Sequence, residues 1–187
     1  MTDVQLSAEE KSLLGGLARA SIESALGGAS SPAPEASRMT PALRLYLGAF
    51  VTLTCGGNLR GCIGSIVGQE PLYANVWRMA RAAALEDPRF PPLTREEWPG
   101  VHLEISVLGQ LTPCPDLHAI QVGRHGLVLS CRGRSGVFLP QVPVEQGWDR
   151  HAYLENLCRK AGLPQGAWQD SEARLLWYEA LVFPVEK

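Results

Sequence analysis

Phe50 to Ile66 reads FVTLTCGGNLRGCIGSI. Phe50–Thr54 is rich in β-branched and aromatic residues, Cys55-Gly56-Gly57-Asn58 is turn-forming, and Leu59–Ile66 returns to an extended pattern. Two strand-forming runs around a Gly-Gly pair predict a β-hairpin. The second arm is unusual, because it carries Arg60 and Cys62 with Gly61 and Gly64 beside them. Glycine weakens a strand interior, so two of them mark a bulge or the close approach of another group to the backbone.

Working outward, Ser7-Ala8-Glu9-Glu10 has the form of a capping box, followed by Leu13, Leu14, Leu17, Ile22 and Leu26 at helical spacing. Gly27 and Gly28 end that helix, and 27–38 (GGASSPAPEASR) is a flexible surface linker. Pro71 suits the start of a second helix to about Leu85, with Leu72, Val76, Met79, Ala80 and Ala83 as its apolar stripe. Asp87-Pro88-Arg89-Phe90 must break it. Val101, Leu103, Ile105 and Val107 alternate with polar residues, the pattern of a half-buried strand with Glu104 and Ser106 on its second face. Ile120–Leu139 predicts two or three short strands, and Leu139-Pro140-Gln141-Val142-Pro143 an edge or rigid turn. Asp149 caps a helix ending near Ala161, and Leu175–Phe183 is a last strand. The sum is an α+β protein with a mainly antiparallel sheet flanked by helices, read as a single domain over 1–187.

The chain has 187 residues, 45% hydrophobic and 19% charged, with a net charge of -2. That balance disfavours nucleic-acid binding by bulk electrostatics. No apolar run has the length of a membrane span and the N-terminus lacks a leader pattern, so a cytoplasmic protein is expected. Five cysteines with no CxxC spacing fit free thiols in a reducing compartment.

Several residues can carry chemistry. In a regular strand Arg60 and Cys62 face one side, where a guanidinium favours the thiolate. Cys62 as a core residue, with Arg60 paired to a buried carboxylate, is the alternative. His125, between Gly123 and Gly126, reads as an accessible turn histidine able to move a proton, or as one hydrogen-bonded to a nearby backbone carbonyl. Arg124, Arg132 and Arg134 form a basic run without an acid that suits an anion, or a solvated hairpin tip. Asp87 sits at a helix end where the dipole disfavours an acid, which points to a partner such as Arg89 or Arg60. Glu104 suits a base, a metal ligand or a solvated face. Cys62, His125 and Glu104 offer metal-binding atom types, but no local spacing supports a metal site, and no cofactor motif is present.

The hexapeptide LRGCIG, Leu59–Gly64, resembles the signature of the AMMECR domain family. FVTL precedes it and DPRF, EISVL, GRHGL, LPQV and KAGLP come after it in the family's order, so the likeness spans about Leu43 to Phe183. The resemblance implies an α+β fold of two unequal lobes with the hexapeptide near the cleft between them. Bacterial members are called AmmeMemoRadiSam system protein A, which implies Memo-like and radical SAM partners. It implies no established activity. It marks Arg60, Gly61, Cys62 and Gly64 as a functional surface, with Asp87, Arg89, Glu104 and His125 in other motif blocks.

Two readings follow. In the first, the chain is an accessory or binding component, with Arg60, Gly61, Gly64, Asp87, Arg89 and Glu104 around a small anionic ligand or a partner. In the second it is a cysteine-dependent enzyme, with Cys62 as nucleophile or redox thiol and His125 as acid/base. The lack of a complete triad or cofactor motif puts the first ahead.

Overall fold

A computed structural model describes residues 4–28 and 34–186. The middle of the expected linker, 29–33, lies outside the described residues, and its end forms a 3-10 turn at Ala36–Arg38. The chain divides into two compact units of unequal size, the larger holding Gln5–Leu108 and the chain from Leu181, the smaller Gly109–Ala180.

The larger unit begins with α1, Ala8–Leu26, whose capping box is complete. The Ser7 hydroxyl accepts from the Glu10 N–H at 3.2 Å, and the Glu10 carboxylate accepts from the Ser7 N–H at 2.9 Å. β1 (Ala49–Cys55) and β2 (Asn58–Ser65) form the predicted hairpin. Gly56 and Gly57 both take positive φ, +57° and +81°, the left-handed pair that a two-residue turn matched to strand twist requires. α2 (Leu72–Leu85) starts after Pro71 as expected, and β3 (Val101–Leu108) pairs antiparallel with β1. Strand order here is β2-β1-β3-β7, with β2 at the edge and β7 spanning Arg174–Val185.

Pairing and the two-residue period sort the side chains. Ala49, Val51, Leu53, Val101, Leu103, Ile105 and Val107 are buried, as are the Leu72, Val76, Met79, Ala80 and Ala83 face of α2 and Leu14, Leu17 and Ile22 of α1. Phe50 and Thr52 of β1, Cys62 and Gly64 of β2, and His102, Glu104 and Ser106 of β3 occupy the second face.

In the smaller unit β7 pairs with β5 (His125–Cys131), which pairs with β6 (Arg134–Phe138), and the two-residue β4 (Thr112–Pro113) pairs with β7. α4, Arg150–Lys160, is capped by Asp149, whose carboxylate accepts from the Ala152 N–H at 2.7 Å. It covers a core of Ile120, Leu127, Leu129, Tyr153, Leu154 and Leu157, against which Trp148, Trp168 and Trp177 pack. One expectation is overturned. The Leu139–Pro143 segment is no strand edge, because Gln141–Glu145 forms a short helix, α3. Pro143 lies within its first turn, where a missing N–H breaks no intrahelical bond.

Candidate functional site

The hairpin register slips between Leu53 and Thr54, which pair with Gly61 and Leu59, so Arg60 is the extra residue of a β-bulge. The strand is therefore not regular at Arg60. Arg60 turns to Glu97 as a two-pronged fork, Nε to Oε1 at 2.8 Å and Nη2 to Oε2 at 3.1 Å. Its side chain is 12% exposed. Glu97 also accepts from the Thr94 N–H at 2.9 Å. The Arg60 fork, helped by that amide, holds the Glu97 carboxyl down at about 2.

The glycines answer a packing demand from the chain itself. A Cβ on Gly61 would stand 2.1 Å from the Ala83 carbonyl oxygen of α2, so only glycine lets β2 lie this close to the helix. A Cβ on Gly64 would lie 2.3 Å from Cγ of Phe50, whose ring lies against that glycine from the neighbouring strand.

Cys62 is held at three points. Its N–H donates to Asp87 Oδ2 at 2.9 Å, and its carbonyl accepts from Arg89 Nη2 at 3.2 Å. These are the outward groups of an edge strand, and the Asp-Arg pair occupies them as a further strand would. Outward amide and carbonyl make Thr52 and Cys62 a non-hydrogen-bonded pair, the closer type. The Thr52 hydroxyl accordingly donates to Cys62 Sγ at 3.3 Å. The thiol is half-buried and not in a disulfide.

Asp87 has the partner its helix-end position implied. It is buried, its side chain 2% exposed, and it accepts from Arg89 Nη2 at 2.7 Å, Arg89 Nε at 2.9 Å and the Arg89 N–H at 3.1 Å. Bonding to the Arg89 side chain drives its carboxyl far below the usual carboxylate range, against the opposing effect of burial. Phe90 lies 5.9 Å from the Arg60 guanidinium and 5.5 Å from that of Arg89, close enough for cation–π attraction. Glu104 pairs with Thr52, which pairs with Cys62, so the three form one row across β3, β1 and β2.

His125 belongs to the smaller unit and is 3% exposed, a correction to the accessible turn histidine expected. It begins β5, its ring 4.3 Å from that of Trp177. Nδ1 accepts from the Gln121 N–H at 3.1 Å, so the neutral ring carries its proton on Nε2, 4.0 Å from Glu179 Oε1. Burial, then Arg124, pushes its pKa below the ordinary value. The basic run is likewise not a free anion patch. Arg124 pairs with Glu179 at 2.8 Å, Arg132 with Asp170 at 2.6 Å and Glu172 at 3.0 Å, and Arg134 donates to the Gly162 carbonyl.

Sequence reasoning missed several features. Glu97 is 37 residues from Arg60 in the chain, and no local pattern links the two. Asn75, fully buried, ties α2 to Leu47 and Ser65, donating to each at 3.0 Å. In the smaller unit Cys131, Asp170 and Glu172 place ligand-type atoms within 4.8 Å of one another, beside a pocket of about 720 Å³ lined in part by Arg132, Arg134 and Pro164. Arg132 already pairs with both of those carboxylates.

A family model for AMMECR1 matches residues 16–183. Among curated relatives, Protein NEQ441 of Nanoarchaeum equitans is 37% identical over 174 residues, covering 89% of this chain and 96% of its own length. A protein of Pyrobaculum islandicum is 40% identical over 188 residues, covering 94% and 83%. Among solved structures, the uncharacterised protein PH0010 of Pyrococcus horikoshii superposes with a TM-score of 0.88 at 36% identity, over 96% of this chain and 93% of that one.

Proposed function

The chain belongs to the AMMECR1 family, and on that premise we propose that it is an accessory, binding component that acts with Memo-like and radical SAM partners through the surface at Cys62. One observation carries the reading. Both guanidiniums of the motif region are engaged with carboxylates of the same chain, Arg60 with Glu97 and Arg89 with Asp87. They build the strand and hold it, and the half-buried Cys62 thiol beside Thr52 is what the motif presents. A backbone fixed at its amide and carbonyl gives that surface the rigidity that specific recognition favours.

The Thr52–Sγ hydrogen bond favours a second reading, in which Cys62 is a nucleophile, since that bond holds the half-buried sulfur in a fixed position. His125 is a poor base for it, because Nδ1 is already occupied by the Gln121 amide and Nε2 carries the ring proton.

Biolayer interferometry against purified Memo-like and radical SAM proteins from the same genome separates the readings. Cys62→Ser should associate within threefold of the natural chain, and Cys62→Trp, which adds bulk at the surface, should lose at least tenfold. No association of the natural chain with either protein, or a Cys62→Trp chain that binds unchanged, overturns the proposal. A folded Cys62→Ser chain that loses association favours the thiol chemistry.

A further inference from the structure

In the smaller unit the hairpin of β5 and β6 turns at Arg132 and Gly133, which take φ of +50° and +74°, the left-handed pair of a two-residue turn. The turn sets Cys131, the last residue of β5, beside Asp170, which follows the 3-10 turn Ala167–Gln169. Asp170 Oδ1 accepts from the Glu172 N–H at 3.0 Å, which holds the second acid next to the first. The sulfur of Cys131 and one oxygen of each carboxylate all lie within 4.8 Å of one another. Cys131 is 3% exposed, and its sulfur has no hydrogen-bond partner among the described residues. It lines the pocket of about 720 Å³ together with Asp170 and Arg132, and the Glu172 side chain is 64% exposed. An ion therefore reaches the sulfur through the pocket and the Glu172 carboxylate from solvent.

The chain itself shows which charge this place holds. Arg132 Nη2 lies 2.6 Å from Asp170 Oδ2 and Nε 3.0 Å from Glu172 Oε2, so both carboxylates already bind a cation. That cation is on a side chain 61% exposed at a hairpin tip, and exposed pairs of this kind are weak. The guanidinium leaves the sulfur unbonded, whereas a borderline-soft divalent ion bonds all three atoms. Zinc takes thiolate sulfur at about 2.3 Å and carboxylate oxygen at about 2.0–2.2 Å, which sets neighbouring ligand atoms about 3.5 Å apart. Closing from 4.8 Å asks for a movement of about 1 Å, which the exposed Glu172 side chain can supply. We propose that Cys131, Asp170 and Glu172 form a site for a divalent cation of the zinc class, with Arg132 as the resident cation that the metal displaces and water from the pocket at the remaining position. On binding, the Cys131 thiol gives its proton to the solvent and the Arg132 guanidinium moves out to water. The sulfur selects against magnesium and calcium, which take oxygen ligands. The site is built from the smaller unit alone and does not depend on the binding role of Cys62.

Cobalt(II), a spectroscopic stand-in for zinc, tests this on the full chain kept reduced with a phosphine. Binding should give a sulfur-to-cobalt charge-transfer band that saturates at one ion per chain, and zinc, but not a tenfold excess of magnesium, should bleach it. Cys131→Ser leaves the other four cysteines in place and should lose the band. Glu172→Gln, at an exposed position, should weaken cobalt binding at least fivefold. Arg132→Gly, which suits the φ of +50° there, should tighten it at least threefold, a gain that damage to the fold does not produce. Circular dichroism reports whether each variant is folded; if Cys131→Ser does not fold, the opposite shifts of Glu172→Gln and Arg132→Gly decide. A band that survives in folded Cys131→Ser marks an adventitious ion only and overturns the proposal. No band in the natural chain, unchanged binding by Glu172→Gln, or an Arg132→Gly chain that binds no more tightly also overturns it.

Discussion

Asp87→Asn is the sharpest perturbation of the motif. The carboxylate is buried and accepts one bond from the Cys62 amide and three from Arg89. An asparagine keeps the shape but turns an NH2 towards one set of donors and removes the charge. Removing one partner of a buried ion pair costs about 3–5 kcal/mol. Arg89 is 54% exposed and regains water, which puts the expected loss at the lower end. Urea unfolding should therefore show a drop of about 3 kcal/mol with an unchanged slope, since the surface exposed on unfolding stays the same. For a chain of this length, the melting temperature falls by about 6–12 °C. The local readout is sharper. Amide exchange at Cys62, followed by NMR, should accelerate by about a hundredfold where it proceeds through local opening. A loss below about 0.5 kcal/mol, typical of an ordinary surface change, together with unaltered Cys62 exchange, would refute the role of Asp87 as the clamp on this strand.

Three further outcomes follow from the same geometry. Glu97 and Asp87 have folded pKa values below their unfolded ones, so their contribution is complete above about pH 4.5 and is lost as pH falls, for Glu97 down through about 2; an acid titration followed by circular dichroism should show that loss, and Glu97→Gln should flatten it. Gly61→Ala should cost about 3 kcal/mol or more by driving a Cβ into the Ala83 carbonyl, whereas Gly16→Ala, at an exposed helical site with nothing within 4 Å, should stabilise by about 0.5–1 kcal/mol; thermal melts of the two side by side check both signs. His125 is also depressed, so its contribution is complete above about pH 6.5 and declines below it as the buried ring is forced to protonate, and thermal melts between pH 7.5 and 5 should show a drop that His125→Gln reduces.

What was legible in the sequence was local. The Ser7 capping box, the Gly56-Gly57 turn, the α2 stripe behind Pro71 and the alternation of β3 are each written within a few consecutive residues, and each formed where expected. Asp87 with Arg89 was legible for the same reason, the two lying two residues apart. Arg60 was not, because its partner Glu97 is 37 positions away and the bulge that turns it there depends on pairing register. Gly61 announced that something approaches the strand, but the approaching group is the backbone of α2, which no side-chain pattern encodes. His125 misled because flanking glycines signal a turn, while the burial of β5 is set by packing against residues far along the chain. Pro140 and Pro143 suggested a rigid turn, and a five-residue helix with its proline in the first turn has the same local signature.

The central claim is that Arg60 holds the strand and does not anchor a ligand. The double substitution Arg60→Gln/Glu97→Gln removes both charges while leaving two side chains able to hydrogen-bond each other. The measurement is the affinity of that folded double variant for the Memo-like and radical SAM proteins, beside the natural chain. The account predicts affinities within threefold of the natural chain. A correctly folded double variant that binds at least tenfold more weakly would contradict it, and would return the guanidinium to the binding surface.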